Sequence, residues 1–375
     1  MMHHIRRRAL GFGVRAGLAD VLAPRDPLDE ETLQDIDDLA RGQMEVWTQQ
    51  KISRSWLLEN FEYLHPHPCL FILEIEGKSV TVQKKPDVAV PPEERPNYER
   101  LRRSYAERIH CYRIFLERAL ERSGLDLHVT LALNADDIGL DCSQAPLFAF
   151  QKREGSLNPL LPDAHFLYSN WYRNFRDTLS YDDKRIAGCF AGSSTGGSGG
   201  SYMVDEEVVR EGRNPRLRAA AHFVKGDFVD FRITRAVQCA NPEVKAWIEA
   251  QPYFTKPIGY RQQFRNRFLV SMDGNGAAWS RYAIGLKSNS AIIKYQSPFV
   301  LYYFPKMTAG REYLSVSSEA EVERIVELER RRPGAHRHVA DGGRRFFARY
   351  LRQDRVIAYT AALLRRYSEF YNSLS

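Results

Sequence analysis

Three segments of the chain carry residue types able to do chemistry. Asn134-Ala135-Asp136-Asp137 ends in adjacent carboxylates, which can supply a general base or hold a divalent cation. Neighbouring side chains leaving a strand point opposite ways, which favours one working base, Asp137, over joint chelation. Beside apolar Leu133 and Ile138, a buried Asp137 would bind its proton more tightly than a free carboxylate does. A plain polar turn is the commonest meaning of such a tetrapeptide. The second segment is Gly192-Ser193-Ser194-Thr195-Gly196-Gly197-Ser198-Gly199-Gly200. Its small residues let backbone N–H groups and hydroxyls approach phosphate oxygens without obstruction from Cβ. It lacks the Gly-Lys-Ser/Thr ending of a P-loop and is no clean GxGxxG, so composition alone equally allows a linker. The third is Asp273-Gly274-Asn275-Gly276-Ala277-Ala278-Trp279-Ser280-Arg281. Here a strand gives way to a helix start, whose N–H groups and positive dipole end attract anions, with Arg281 one turn in to clamp a diphosphate. An ordinary βα turn with a surface Arg fits the same residues.

The elements around these segments alternate between helix and strand. Acidic residues followed by Leu33, Ile36 and Leu39 predict a helix over 28–50, with a second from Arg54 toward Tyr63. Cys69 to Glu76 and Ser79 to Lys84, parted by Gly77, read as a hairpin, Pro86 to Pro96 as a loop, and Tyr98 to Arg122 as a long helix stopped by Gly124. Strands are predicted at Leu127–Leu133, Pro146–Phe150, Ile186–Phe190, Ala219–Val224, Phe268–Met272 and Ala291–Lys294. Strands that each run through a loop into a helix suit a parallel sheet, which holds its ligands beyond the strands' carboxyl ends. A last helix, Arg344 to Tyr371, carries Phe347, Leu351, Ala358, Ala361, Leu364 and Tyr367 along one stripe and needs a surface to cover it.

A chain of 375 residues, 43% hydrophobic and 27% charged, exceeds one ordinary domain and fits neither a disordered chain nor a membrane bundle. Its net charge of +7 allows an anionic partner. Residues 324–366 hold twelve Arg against four Asp or Glu, a net of +8, so the rest of the chain sums to about −1. Solvated helix surface is the plainer meaning of that run, and a lipid- or phosphate-facing surface the other. Cys69, Cys111, Cys142, Cys189 and Cys239 form no CxxC or cluster and read as free thiols of a reducing compartment. Neither His65/His67 nor His336/His338 has a carboxylate or Cys at zinc spacing, so no metal is expected. Arg15 and Asp20 interrupt the apolar stretch of Met1 to Ala23, which makes a poor signal peptide, and no run of eighteen apolar residues occurs.

Several blocks in order resemble glycosyltransferase family 90. Residues 268–316, from FLVSMDGNGAAWSR through YYFP to REYLSV, are similar to the family's turn, Arg, strand with Ser and Lys, and aromatics before Pro. Ile52-Ser53-Arg54, Leu133 to Asp137, Phe148-Ala149-Phe150 with Pro162, Phe190 to Thr195, and Gly343 to Phe370 resemble further blocks, so the likeness runs over roughly 45–372. It departs at Ala191, Asp136 and Gly199, where the family has Arg, at Leu301 for its Glu and at Glu312 for its His.

The resemblance implies an α/β protein of GT-B type, two Rossmann-like lobes facing a central cleft, with a C-terminal helix returning to the first lobe. It divides the chain into an acceptor-side lobe (1–180), a donor-nucleotide lobe (181–342) and the helix (343–375). It further implies inverting, metal-independent transfer of a glucose- or xylose-type sugar from a UDP-sugar, the donor substrate, with no other cofactor. The acceptor would be a hydroxyl of a glycan, a lipopolysaccharide or other lipid-linked saccharide, or a protein. Asp137 aligns with the catalytic Asp; Gly192, Ser193, Thr195, Asp273, Gly274, Asn275, Gly276, Ala277, Ala278, Trp279, Ser280 and Arg281 fall on the donor-binding blocks, with Lys294 assisting. A cytoplasmic location is expected, with peripheral contact to an anionic membrane allowed and nucleic acid not a partner. Two alternatives stand beside this: a non-catalytic polyanion- or membrane-binding protein using the basic C-terminus, and a metal-dependent GT-A enzyme using Asp136 and Asp137.

Overall fold

The computed structural model describes residues 28–137, 140–196 and 203–375. The Met1 to Ala23 stretch, Ile138, and Gly197 to Gly200 with Gly199 lie outside the described residues. In chain order the principal elements are α1 (Glu30–Thr48), α2 (Arg54–Leu64), β1 (Leu70–Gly77), β2 (Ser79–Val82), α3 (Arg95–Ser123), β3 (Leu127–Asn134) and β4 (Leu147–Phe148). They continue with β5 (Arg185–Ser193), α4 (Pro215–Phe223), β6 (Val229–Arg235), α5 (Pro242–Glu249), β7 (Asn266–Ser271), α6 (Trp279–Lys287) and β8 (Ala291–Tyr295). β9 (Leu314–Val316), α7 (Glu319–Arg331), α8 (Arg337–Phe346) and α9 (Gln353–Ser373) complete them. Two compact units result. Of the described residues, one unit comprises those up to Tyr172 with 299–305 and 349–375; the other comprises those in 173–298 and 306–348.

The first unit has a sheet in the order β2-β1-β3-β4. Gly77, at φ +65°, turns the chain so tightly that β1 and β2 must be antiparallel. α3 then carries the chain across β1, which is antiparallel to β3 as well, and β4 pairs with β3 in parallel. This corrects the expectation of a fully Rossmann-like first lobe, because one strand runs against the others. The C-terminal residues of this unit cover α1 and the sheet. Tyr359 donates a hydrogen bond to the Leu160 carbonyl at 2.7 Å and stacks on Tyr302, while Tyr367 packs edge-on against Phe148.

The second unit has five strands, all parallel, in the order β9-β8-β7-β5-β6. Numbered within the unit this is the doubly wound order 2-1-3-4-5, whose direction reverses between its first and third strands, here β5 and β7. Residues 219–224, expected as a strand, are mostly helix instead. Asn214 caps α4 by accepting from the Leu217 amide at 3.0 Å, and Pro215 pre-sets its first turn. The missing strand is β6, at the sheet edge, where apolar and polar residues alternate instead of forming a continuous apolar run. The predicted helix 344–371 is likewise two helices, α8 and α9, separated by a π turn at Phe347–Leu351 and extended Arg352. The break falls where the chain passes from one unit to the other.

The basic C-terminus is largely neutralised. Arg330 pairs with Asp227, Arg331 with Glu327, Arg337 with Asp182, Arg349 with Glu31 and Asp35, and Arg365 and Arg366 with Asp37. All of these carboxylates but Glu327 lie outside the run, so much of its charge is answered within the same unit. Among the described residues no helix is long and apolar enough to cross a membrane, and all five cysteines are free thiols.

Candidate donor and base sites

The segment after β5 and the segment after β7 leave neighbouring strands at the point where strand order reverses, the place where open parallel sheets bind ligands. They come into direct contact. A Cβ on Gly274 would lie 2.5 Å from the Thr195 hydroxyl oxygen, and one on Gly196, which has φ +109°, would meet the Gly274 carbonyl at 3.5 Å. Ser193 and Thr195 hydroxyls lie 3.3 Å apart and are part-exposed, whereas Ser194 is buried and bonds both backbone groups of Val237. Gly192 adjoins the Phe190 ring and the Arg281 guanidinium.

In the turn, the Gly274 amide donates to the Gly276 carbonyl at 3.1 Å, with Ala277 buried beside it. The Asp273 carboxylate accepts from the Ala278 amide at 3.2 Å and from the Ser297 hydroxyl. Burial raises the Asp273 carboxyl above its usual range, against the pull of Ser297, Lys294 and Arg216. Ala278 has no side-chain cap, and α6 opens with part-exposed Trp279, Ser280 and Arg281, the Trp279 amide donating back to the Ala277 carbonyl at 2.9 Å. Asn275 keeps a buried, unpartnered side-chain oxygen at the same place. Lys294 stands on β8, where burial lowers its ammonium and Asp273 opposes that shift.

Arg281 does not project as a free fork. One terminal nitrogen donates to the Ala191 carbonyl and the other to Gln263 at 3.2 Å, with the guanidinium 4.5 Å from the Phe190 ring centre. Its charge therefore sits at the start of the Gly/Ser segment. Beside it is a residue the sequence reading missed, Arg216, whose guanidinium lies 5.3 Å from the same ring centre. Arg216 is 8% exposed and donates to the carbonyls of Ser193, Met272 and Asp273 at 3.0–3.1 Å and to the Thr195 hydroxyl at 2.7 Å. Neither arginine has a carboxylate ion pair among the described residues. The available signal was Arg in the first turn of a helix after Asn-Pro, where the dipole disfavours a cation.

Asp137 belongs to the first unit, just beyond the end of β3. It is half-buried where a buried carboxylate was expected, and Ile138, its expected apolar neighbour, lies outside the described residues. Its side chain is 35% exposed and lies 2.9 Å from the guanidinium of Arg108 on α3. Arg108 also donates to the Ala135 carbonyl and lies 5.1 Å from the Phe150 ring centre. Burial works against the Arg108 charge, but Asp137, Tyr112 and Tyr168 together prevail and the guanidinium is held above its usual range. Asp136 turns to different partners, accepting from the Tyr105 hydroxyl at 2.8 Å and from the Asp137 amide at 2.7 Å. The two carboxylates thus have separate fixed neighbours, and among the described residues no three His, Cys, Asp or Glu side chains form a metal site. Sequence spacing offered no route to Arg108, one of many arginines on α3.

The second unit thus places two guanidiniums and a helix start at the switch point of a parallel α/β sheet, where open sheets of this kind hold their ligands. Residues 208–373 match the family model described as Glycosyl transferase family 90, which supports the resemblance to that family, and a glycosyltransferase, over this part of the chain. The match takes in Arg216, the Gly274 turn and Arg281; the Ser193 segment and Asp137 precede it. No curated protein matches the chain.

Proposed function

We propose that the protein transfers a sugar from a UDP-sugar, of glucose or xylose type, to a hydroxyl of a glycan, lipopolysaccharide or protein, with inversion and without a metal. In this reading the two units are the acceptor-side and donor-side lobes of a GT-B enzyme. The observation that carries it is the meeting of the Ser193 and Gly274 segments at the switch point, beside two guanidiniums that have no carboxylate ion pair among the described residues. The donor diphosphate lies against the start of α6, where Arg281, the first-turn amides and Lys294 supply positive charge. Asp137 takes the proton of the acceptor hydroxyl, whose oxygen attacks the anomeric carbon as the bond to the diphosphate breaks. Electrons of the broken bond leave on the diphosphate, and the positive groups stabilise the charge that develops there. Arg108 fixes the direction of the Asp137 carboxylate. A single displacement inverts the anomeric centre.

Thermal-shift screening against UDP, GDP and their sugars selects the donor, and transfer is then assayed with EDTA present. Asp137→Asn is expected to lower turnover by at least about 100-fold, the usual scale of general-base assistance, while UDP affinity stays within a factor of about two. Undiminished turnover in that variant rules out the base assignment.

A further inference from the structure

We infer that Arg216 is the positioning residue of the donor site, a buried guanidinium that ties the segment after β5 to the turn after β7 and so sets diphosphate affinity. This rests on the donor-site reading above.

Three influences oppose a cation at this position. The side chain is almost wholly buried, it sits in the first turn of α4 near that helix's positive end, and the like charge of Arg281 adjoins it. Burial and Arg281 both draw the guanidinium down, to about 9, so it is still charged at neutral pH. Among the described residues no carboxylate forms an ion pair with it. What offsets the cost is a set of acceptors on two separate segments: the Ser193 carbonyl and Thr195 hydroxyl on one, the Met272 and Asp273 carbonyls on the other.

Such a set suits a planar group with five donors in a fixed fork and does not suit an ammonium, whose donors radiate from one atom. The surroundings are cut to the same shape. A Cβ on Gly274 would stand 3.0 Å from an Arg216 terminal nitrogen, and the Asn214 side-chain amide donates to the Ser194 carbonyl at 2.8 Å from the residue that caps the same helix. α4 therefore grips the Gly/Ser segment twice, through its cap and through Arg216. The first grip holds one segment; the second joins both. With Arg216 in place the two segments keep one spacing before any ligand arrives, and a diphosphate entering there also relieves the repulsion between Arg216 and Arg281.

The test uses the full chain, with UDP as probe. Arg216→Lys is expected to keep its charge yet raise the UDP dissociation constant at least about tenfold, and to raise donor KM with little change in kcat. Hydrogen exchange should quicken at 193–196 and 273–278 and stay unchanged in β3 and α9. Should Arg216→Lys not fold, Arg216→Ala is prepared with millimolar guanidinium, which is expected to restore UDP affinity where methylammonium does not. Unchanged UDP affinity, or exchange unaltered in both segments, overturns the proposal. A wild-type protein that binds no nucleotide overturns the donor reading instead, and exchange alone then decides whether Arg216 ties the segments.

Discussion

Replacing Gly274 by Ala tests the contact between the two donor segments directly. The added methyl would lie 2.5 Å from the Thr195 hydroxyl oxygen and 3.0 Å from an Arg216 terminal nitrogen. Ordinary contact requires the Thr195 oxygen to retreat by nearly an ångström. Thr195 is β-branched and already accepts from Arg216 at 2.7 Å, so it cannot swing aside without breaking that bond. Overpacking of this kind costs ~1–3 kcal/mol. In a unit of this size each kcal/mol lowers Tm by about 2–4 °C, so a fall of roughly 2–12 °C is expected. If the segment moves instead of straining, stability recovers but the spacing on which the proposed diphosphate site depends is lost. Either response weakens UDP binding, by about tenfold or more, one lost hydrogen bond in a partly buried site being worth about 1 kcal/mol and the displaced loop adding to it. The assay is a thermal melt paired with UDP calorimetry. A variant whose Tm and UDP affinity both match the wild type refutes the contact and the reasoning built on it.

Two further predictions concern the packing of the second unit. Gly342→Ala is expected to destabilise by ~3 kcal/mol or more, measured by urea unfolding, because its Cβ would stand 1.9 Å from the Arg311 carbonyl oxygen and only a shift of backbone can make room; a change below about 1 kcal/mol contradicts the close packing of α8. Glu329 is fully buried, 2.7 Å from Arg267, and accepts from the Gly334 and His336 amides. Burial pushes its carboxyl up, but the bonds from Gly334, Arg267 and His336 prevail and hold it below its usual 4.5. The stability it contributes is thus complete above pH 4.5 and is lost as pH falls through the depressed folded value. Glu329→Gln is expected to cost ~3 kcal/mol at pH 7, with the gap to wild type closing in more acid solution; a gap independent of pH contradicts this.

Local features of the chain were legible wherever backbone chemistry decides. The hairpin turn at Gly77, the stop at Gly124, the strands leading to Ser193 and Gly274, and the start of α6 all depend on residues within a few positions of one another. Two readings failed for local reasons outweighed by context. An Ala-rich apolar run at 219–224 is ambiguous between strand and helix until the Asn214-Pro215 cap is given its weight. The alternation in β6 looks polar because one side of an edge strand need not be apolar. The split of the last helix was hidden because its apolar stripe continues through the point where the chain changes units.

By itself the sequence determined that a Gly/Asn turn and a helix start with Arg281 follow one strand, that a small-residue segment follows another, and that a carboxylate follows a third. Each is a short-range property of glycine, helix ends and strand ends. Tertiary structure alone decided that the first two of these meet at the reversal of strand order, since strand order is set by pairing across the sheet and not by neighbours in the chain. It also decided which arginines matter. Arg216 and Arg108 are two among many basic residues in the sequence, and only folding buries one against Ser193, Thr195, Met272 and Asp273 and sets the other 2.9 Å from Asp137. A guanidinium takes its role from the acceptors around it, and those acceptors come from segments tens of residues away.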